Sequence, residues 1–154
     1  MNEPGTDGPE PTASEFTVFF PMKPGAQDAL REVLRQAEPV IGELLGSLQT
    51  VHDMRWVFIP GDRYLMLATV FDGSWDRYID DFSTQAAPLF DALGAHVEGY
   101  PGTQSGDALK DFIRSTQVDA TLFAFAYPGR SVPEIRRALR VHDAFQELLD
   151  ASQS

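Results

Sequence analysis

The sequence predicts an α+β domain: four strands in one antiparallel sheet, with amphipathic helices packed against it. Three observations carry that expectation. Two runs rich in Val, Ile, Phe, Tyr, Trp and Leu, residues 51–59 and 64–71, flank Pro60-Gly61-Asp62. That tripeptide supplies a fixed φ, a residue free to take positive φ and a turn-favouring Asp, which together signal a hairpin. Further strand-like runs, 15–20 and 118–127, stand on either side of the hairpin. Between and after these runs apolar residues recur at helical spacing, so the order reads β-α-β-β-α-β-α.

Taken along the chain, residues 1–14 hold Pro, Gly, Thr, Ser and acidic side chains and read as a disordered tail before a single domain over 15–150. Glu15 to Phe20 is a first strand, apolar at nearly every residue and stopped by Pro21 and Pro24-Gly25. From Ala26 the positions Ala29, Leu30, Val33, Leu34 and Ala37 form one face of a helix, which Pro39 is expected to break or restart. After the hairpin, Ser74 can cap a helix with the stripe Trp75, Tyr78, Ile79 and Phe82, bent near Pro88. Residues 94–106, with His96, Glu98 and Tyr100, have no clear period and are a candidate active-site or interface loop. A short helix is expected over 107–117, and a fourth strand over 118–127. Ser131 with Glu134 makes a capping box for a last helix with the stripe Ile135, Ala138, Leu139, His142, Phe145 and Leu149.

In the hairpin, alternation places His52, Met54, Trp56 and Phe58 on one face and Val51, Asp53, Arg55, Val57 and Ile59 on the other. Neither face is plainly a water face, so something is expected to cover each: helices on one side, and a second subunit or a cavity closed by one on the other.

This order is the ferredoxin-like split βαβ arrangement with a four-stranded antiparallel sheet. With its apolar second face it resembles the dimeric α/β-barrel superfamily, which includes antibiotic-biosynthesis monooxygenases, polyketide cyclases and haem proteins of the chlorite dismutase and dye-decolourising peroxidase type. The stretches Val51-His52-Asp53-Met54-Arg55-Trp56-Val57, Phe71-Asp72-Gly73 and His96-Val97-Glu98-Gly99-Tyr100-Pro101 also resemble uncharacterised bacterial modules of that fold that sit beside or within peroxidase-like proteins. The resemblance implies a homodimer whose bare sheet faces close into a barrel, and a small-molecule substrate.

Composition limits the function further. The chain has 154 residues, 43% of them hydrophobic, and a formal charge of −11. No Lys/Arg cluster offsets that charge, so neither nucleic acid nor an anionic membrane surface is an expected partner. No apolar run approaches the roughly 20 residues of a membrane span. The absence of cysteine removes disulfides, thiolate metal sites and cysteine nucleophiles, and the first residues lack the pattern of a signal peptide, so the chain reads as cytoplasmic.

The candidate site is built from unusual polar residues in this apolar frame. His52 beside a carboxylate is a candidate general base near neutral pH, or a strand-end histidine held by hydrogen bonds. Arg55 is a candidate to stabilise developing negative charge, or the structural partner of Asp53 or Asp72. Trp56, Asp72, Tyr127 and His96 are candidate substrate-binding groups. No cluster has metal-ligand spacing, and no phosphate-binding or Ser/His/Asp signature is present. The expectation is a cofactor-independent monooxygenase or cyclase of secondary metabolism, acting on an apolar, aromatic or polyketide-like substrate by proton abstraction. The alternatives are a haem enzyme with His142 or His96 as axial ligand, or a non-catalytic dimeric module that binds a redox enzyme.

Overall fold

The computed structural model describes residues 13–153. Its first element, β1 (Ala13–Pro21), begins two residues before the expected boundary, so Ala13 and Ser14 belong to the fold. The rest of the expected tail, residues 1–12, lies outside the described residues. The hairpin forms as expected from β2 (Val51–Phe58) and β3 (Tyr64–Asp72), with Gly61 and Asp62 both at positive φ in the turn. β3 pairs antiparallel with both other strands, giving the order β1-β3-β2.

The helices follow the apolar stripes, with two corrections. The first, α1 (Gln27–Leu48), runs unbroken through Pro39. A proline removes one i→i−4 hydrogen bond and crowds the preceding turn. Here it is exposed, and the helix is held on both sides of it by Leu30, Leu44 and Leu45 against the core. The expected single bent helix after the hairpin is two helices, α2 (Trp75–Gln85) and α3 (Ala87–Gly94), with Pro88 in the first turn of α3, where its missing N–H costs nothing. α4 (Asp107–Thr116) and α5 (Val132–Gln153) complete the order. The capping box of α5 forms: the Ser131 amide donates to Glu134 Oε2 at 2.8 Å, and the Glu134 amide donates to Ser131 Oγ at 3.4 Å.

The core lies between the sheet and α1 to α4. Phe16, Val18 and Phe20 of β1 and Leu65, Leu67 and Phe71 of β3 meet Leu30, Tyr78, Ile79, Phe82, Leu109 and Ile113 from the helices. Phe71 stacks on Tyr78 with 4.1 Å between centroids, and Tyr78 meets Phe82 at 4.6 Å. The opposite sheet face carries Glu15, Thr17, Phe19, Met66, Val70, Asp53, Arg55 and Val57.

The expected fourth strand, 118–127, does not form among the described residues. It starts along β1, through an isolated bridge between Val18 and Gln117 and a 2.9 Å bond from the Val118 amide to the Thr17 carbonyl. The next contact is a side-chain one, from the Ala120 amide to Glu15 Oε1 at 2.8 Å. Beyond it, residues 121–126 make no backbone hydrogen bond among the described residues. Continued from the Val18–Gln117 bridge, antiparallel pairing would set Ala120 opposite Glu15; instead the Glu15 side chain takes the Ala120 amide and the run leaves the edge of β1.

Candidate functional site

A cavity remains inside the core where the sheet faces α2, α3 and α4. Its volume is about 30 Å³, and its wall includes Phe16, Phe20, Phe82, Phe90, Tyr100 and Ile113. A second space of about 10 Å³ adjoins the same Phe20, Phe90 and Tyr100 side chains and is closed by Trp56 and Gly94. Apolar spaces of this size hold at most a water or two, and an apolar lining favours none.

Few polar groups reach this region, and each but one is partnered. Tyr78 and Thr69 share a buried hydrogen bond of 2.8 Å, and burial pushes the Tyr78 phenol well above its ordinary range, so it stays neutral. The Tyr100 hydroxyl donates to Asp91 Oδ1 at 3.0 Å. Burial and that carboxylate raise the Tyr100 phenol above its usual range. Asp91 also accepts the Thr103 amide at 2.9 Å and the Thr103 hydroxyl at 2.7 Å. These bonds, the Thr103 amide first, hold the Asp91 carboxyl below its ordinary range. The exception is the Trp56 indole, whose Nε1–H is buried and has no acceptor among the described residues. Burying a donor without a partner costs about 1–3 kcal/mol.

The Tyr100 ring covers both spaces by lying on Gly94: a Cβ there would run into the ring. Phe112 meets Tyr100 edge-on at 5.9 Å. The loop after α3 is therefore not free. It is tied to β1 by an isolated bridge between Met22 and Val97 and to Asp91 through Tyr100 and Thr103.

His52 lies elsewhere. A bulge between Val51 and Asp53 interrupts the alternation, so Val51 joins Met54, Trp56 and Phe58 on the core side, which corrects the expected faces. His52 Nε2 meets Asp72 Oδ1 at 2.7 Å, and both side chains are nearly buried. The second oxygen of Asp72 accepts the Val132 amide at 2.7 Å, at the start of α5. Phe125 stands edge-on to the imidazole at 4.7 Å. Asp72 is on the strand face opposite Phe71, so this cluster and the aromatic cavity are on opposite sides of the sheet.

Arg55, expected to be buried, is exposed. Its Nε is 3.5 Å from Asp53 Oδ2, a surface pair, and Asp72 is engaged with His52 instead. Tyr127 is exposed. His96 is half-buried and uses its carbonyl to accept the Lys23 amide at 2.9 Å. His142 is exposed on α5. Neither histidine lines the aromatic cavities, so those spaces do not fit the haem alternative. Among the described residues no group of three or more His, Asp or Glu side chains is arranged to hold a metal ion, and no helix is long and apolar enough to cross a membrane.

The structure thus joins His52 to Asp72 and leaves Trp56, Arg55, Tyr127 and His96 apart from that pair. Asp91, Thr103 and Gly94 were missed because nothing in their spacing marks them; only the placement of Tyr100 in an aperiodic loop pointed to this corner.

Fold and site define an α+β domain with a three-stranded antiparallel sheet and a small aromatic cavity beneath its helices. No protein-family model matches the sequence, and no curated protein matches it significantly. Among solved structures it is similar to tetracenomycin F2 cyclase from Streptomyces glaucescens, described as a type-II polyketide cyclase. That alignment has 11% identity, covers 75% of this chain and 99% of the other, and has a TM-score of 0.40.

Proposed function

We propose that the chain binds an apolar, ring-bearing small molecule with a hydrogen-bond acceptor in the aromatic cavity, as a tailoring enzyme of the cyclase or monooxygenase kind. The observation that carries this is the buried Trp56 Nε1–H, without an acceptor among the described residues, on a side chain that borders a space with Phe20, Phe90 and Tyr100 among its other walls. A ligand carbonyl is the group that would satisfy it, and aromatic walls suit a planar ring. Entry requires Tyr100 to swing out of its seat on Gly94, because a space of about 30 Å³ admits no ring. The phenols of Tyr78 and Tyr100 are held neutral and serve as hydrogen-bonding groups, not bases.

A matched pair of probes tests the reading. 1-Tetralone, with a carbonyl, should bind about tenfold tighter than tetralin, which lacks one, the ratio expected for roughly 1.4 kcal/mol of hydrogen bonding. Trp56→Phe should erase that preference while keeping the fold. Equal affinity for the two probes in the wild-type chain, or a preference unchanged in Trp56→Phe, would rule the reading out.

The 2.7 Å His52–Asp72 bond favours a second reading, in which His52 is a general base oriented by Asp72, with Arg55 beside it on the bare sheet face. There the substrate lies on that face, and a second subunit closes over it to form the dimeric barrel with residues 118–127 as fourth strand. No cofactor is required in either reading. Loss of turnover in His52→Gln with unchanged 1-tetralone affinity would select the second.

A further inference from the structure

We propose that α5 is one half of an antiparallel helix pair and that its partner is α5 of a second copy of this chain. The inference stands apart from what the cavity binds. Every residue from Arg137 to Gln153 is exposed, and the helix joins the domain at its start, where the Val132 side chain is buried and its amide donates to Asp72. Yet it carries an apolar stripe of Ile135, Leu139, Phe145 and Leu149, of which Leu139 is 56% exposed and Phe145 54%. A helix of 22 residues draws most of its stability from burying such a face, and here none of the other described residues buries it.

Charge identifies the occupant. The first half, residues 132–142, holds Arg136, Arg137 and Arg140 against Glu134, a net of +3 − 1 = +2 with His neutral. The second half, residues 143–153, holds Asp143, Glu147 and Asp150 and no cation, a net of −3. These six charges, three Arg and three acids, make no ion pair within the described residues, and Arg136, Asp143 and Asp150 flank the stripe on one side. A parallel pair would set like halves together; an antiparallel pair sets the basic half of each copy on the acidic half of the other. The stripe is symmetric about His142, so the same alignment places Ile135 opposite Leu149 and Leu139 opposite Phe145, with the two His142 side chains at the two-fold axis. This is the self-complementary surface of an isologous dimer.

Charge variants of the full chain, read by sedimentation, test the proposal. The wild-type chain should sediment as a dimer, more weakly in high salt because the charges are exposed. Arg136→Glu/Arg137→Glu/Arg140→Glu should be monomeric, and so should Asp143→Arg/Glu147→Arg/Asp150→Arg. An equimolar mixture of the two should form a heterodimer. Because the chain has no cysteine, His142→Cys should oxidise to a covalent dimer, whereas Ala144→Cys on the opposite side of the helix should not. Circular dichroism confirms that each variant is folded, and α5 lies outside the core, so folding should be kept. A monomeric wild type overturns the proposal. So does a dimer that survives both charge variants, including one lost only when the bare sheet face is altered by Met66→Glu.

Discussion

His52 and Asp72 are joined by a 2.7 Å hydrogen bond on the sheet face opposite the aromatic core, and the same carboxylate holds the Val132 amide at 2.7 Å. One carboxylate therefore fastens β2 to β3 and β3 to the start of α5. Phe125 lies against the imidazole, so the residues leading to α5 pack on the pair they depend on.

Removing the imidazole should loosen that fastening. His52→Ala leaves a nearly buried Asp72 oxygen without its donor, at a cost of about 1–3 kcal/mol. Denaturation should show that loss, and hydrogen exchange should quicken at residues 130–135 more than in β1. His52→Gln, which keeps a donor, should recover part of both.

Arg55 should matter little to stability. It and Asp53 form an exposed pair at 3.5 Å, and such pairs contribute about 0–1 kcal/mol. Arg55→Ala should shift the urea midpoint only slightly, so a large loss of turnover in that variant would report chemistry on the bare sheet face. Outright unfolding would contradict the exposed placement.

Acid should act through Asp91. Its folded-state value lies below the ordinary 3.8, chiefly because it accepts the Thr103 amide. The unfolded chain therefore takes up the proton first, so the carboxylate's contribution is complete above the ordinary value and is lost as pH falls through the lowered one. Asp91→Asn should be less stable than wild type at neutral pH, and the gap should narrow below about pH 4. Thermal midpoints measured from pH 7 down to pH 3 check this.

Gly94 and Tyr100 should behave as a unit. A methyl group at Gly94 would strike the Tyr100 ring, and forcing extra volume into a packed site costs about 1–3 kcal/mol. The double variant Gly94→Ala/Tyr100→Ala should cost little more than Tyr100→Ala alone, since the obstacle is gone. Additive losses, measured by urea denaturation, would place the strain elsewhere.

Much of this protein was legible from sequence. The hairpin, the helical stripes and the capping box rest on local rules: a two-residue alternation, a 3.6-residue period, and a Ser three residues before a Glu. Each needs only neighbours along the chain, and each has its counterpart in the structure. Pro39 and the α2–α3 junction misled because a proline's effect depends on whether tertiary packing holds the helix on either side of it.

What only the tertiary structure decided were the long-range pairings. Alternation placed His52 with Trp56, but the bulge after Val51 sent it to the other side of the sheet, to Asp72. The run 118–127 has the composition of a strand, but among the described residues it follows β1 only through the Val18–Gln117 bridge and the Val118 amide bond to Thr17 before leaving the edge. Asp91, Thr103 and Tyr100 form a cluster only because α3 and the following loop fold onto each other. Sequence carries the propensity of each segment; which segments meet, and which are left without a partner, is set by packing and register across the whole fold.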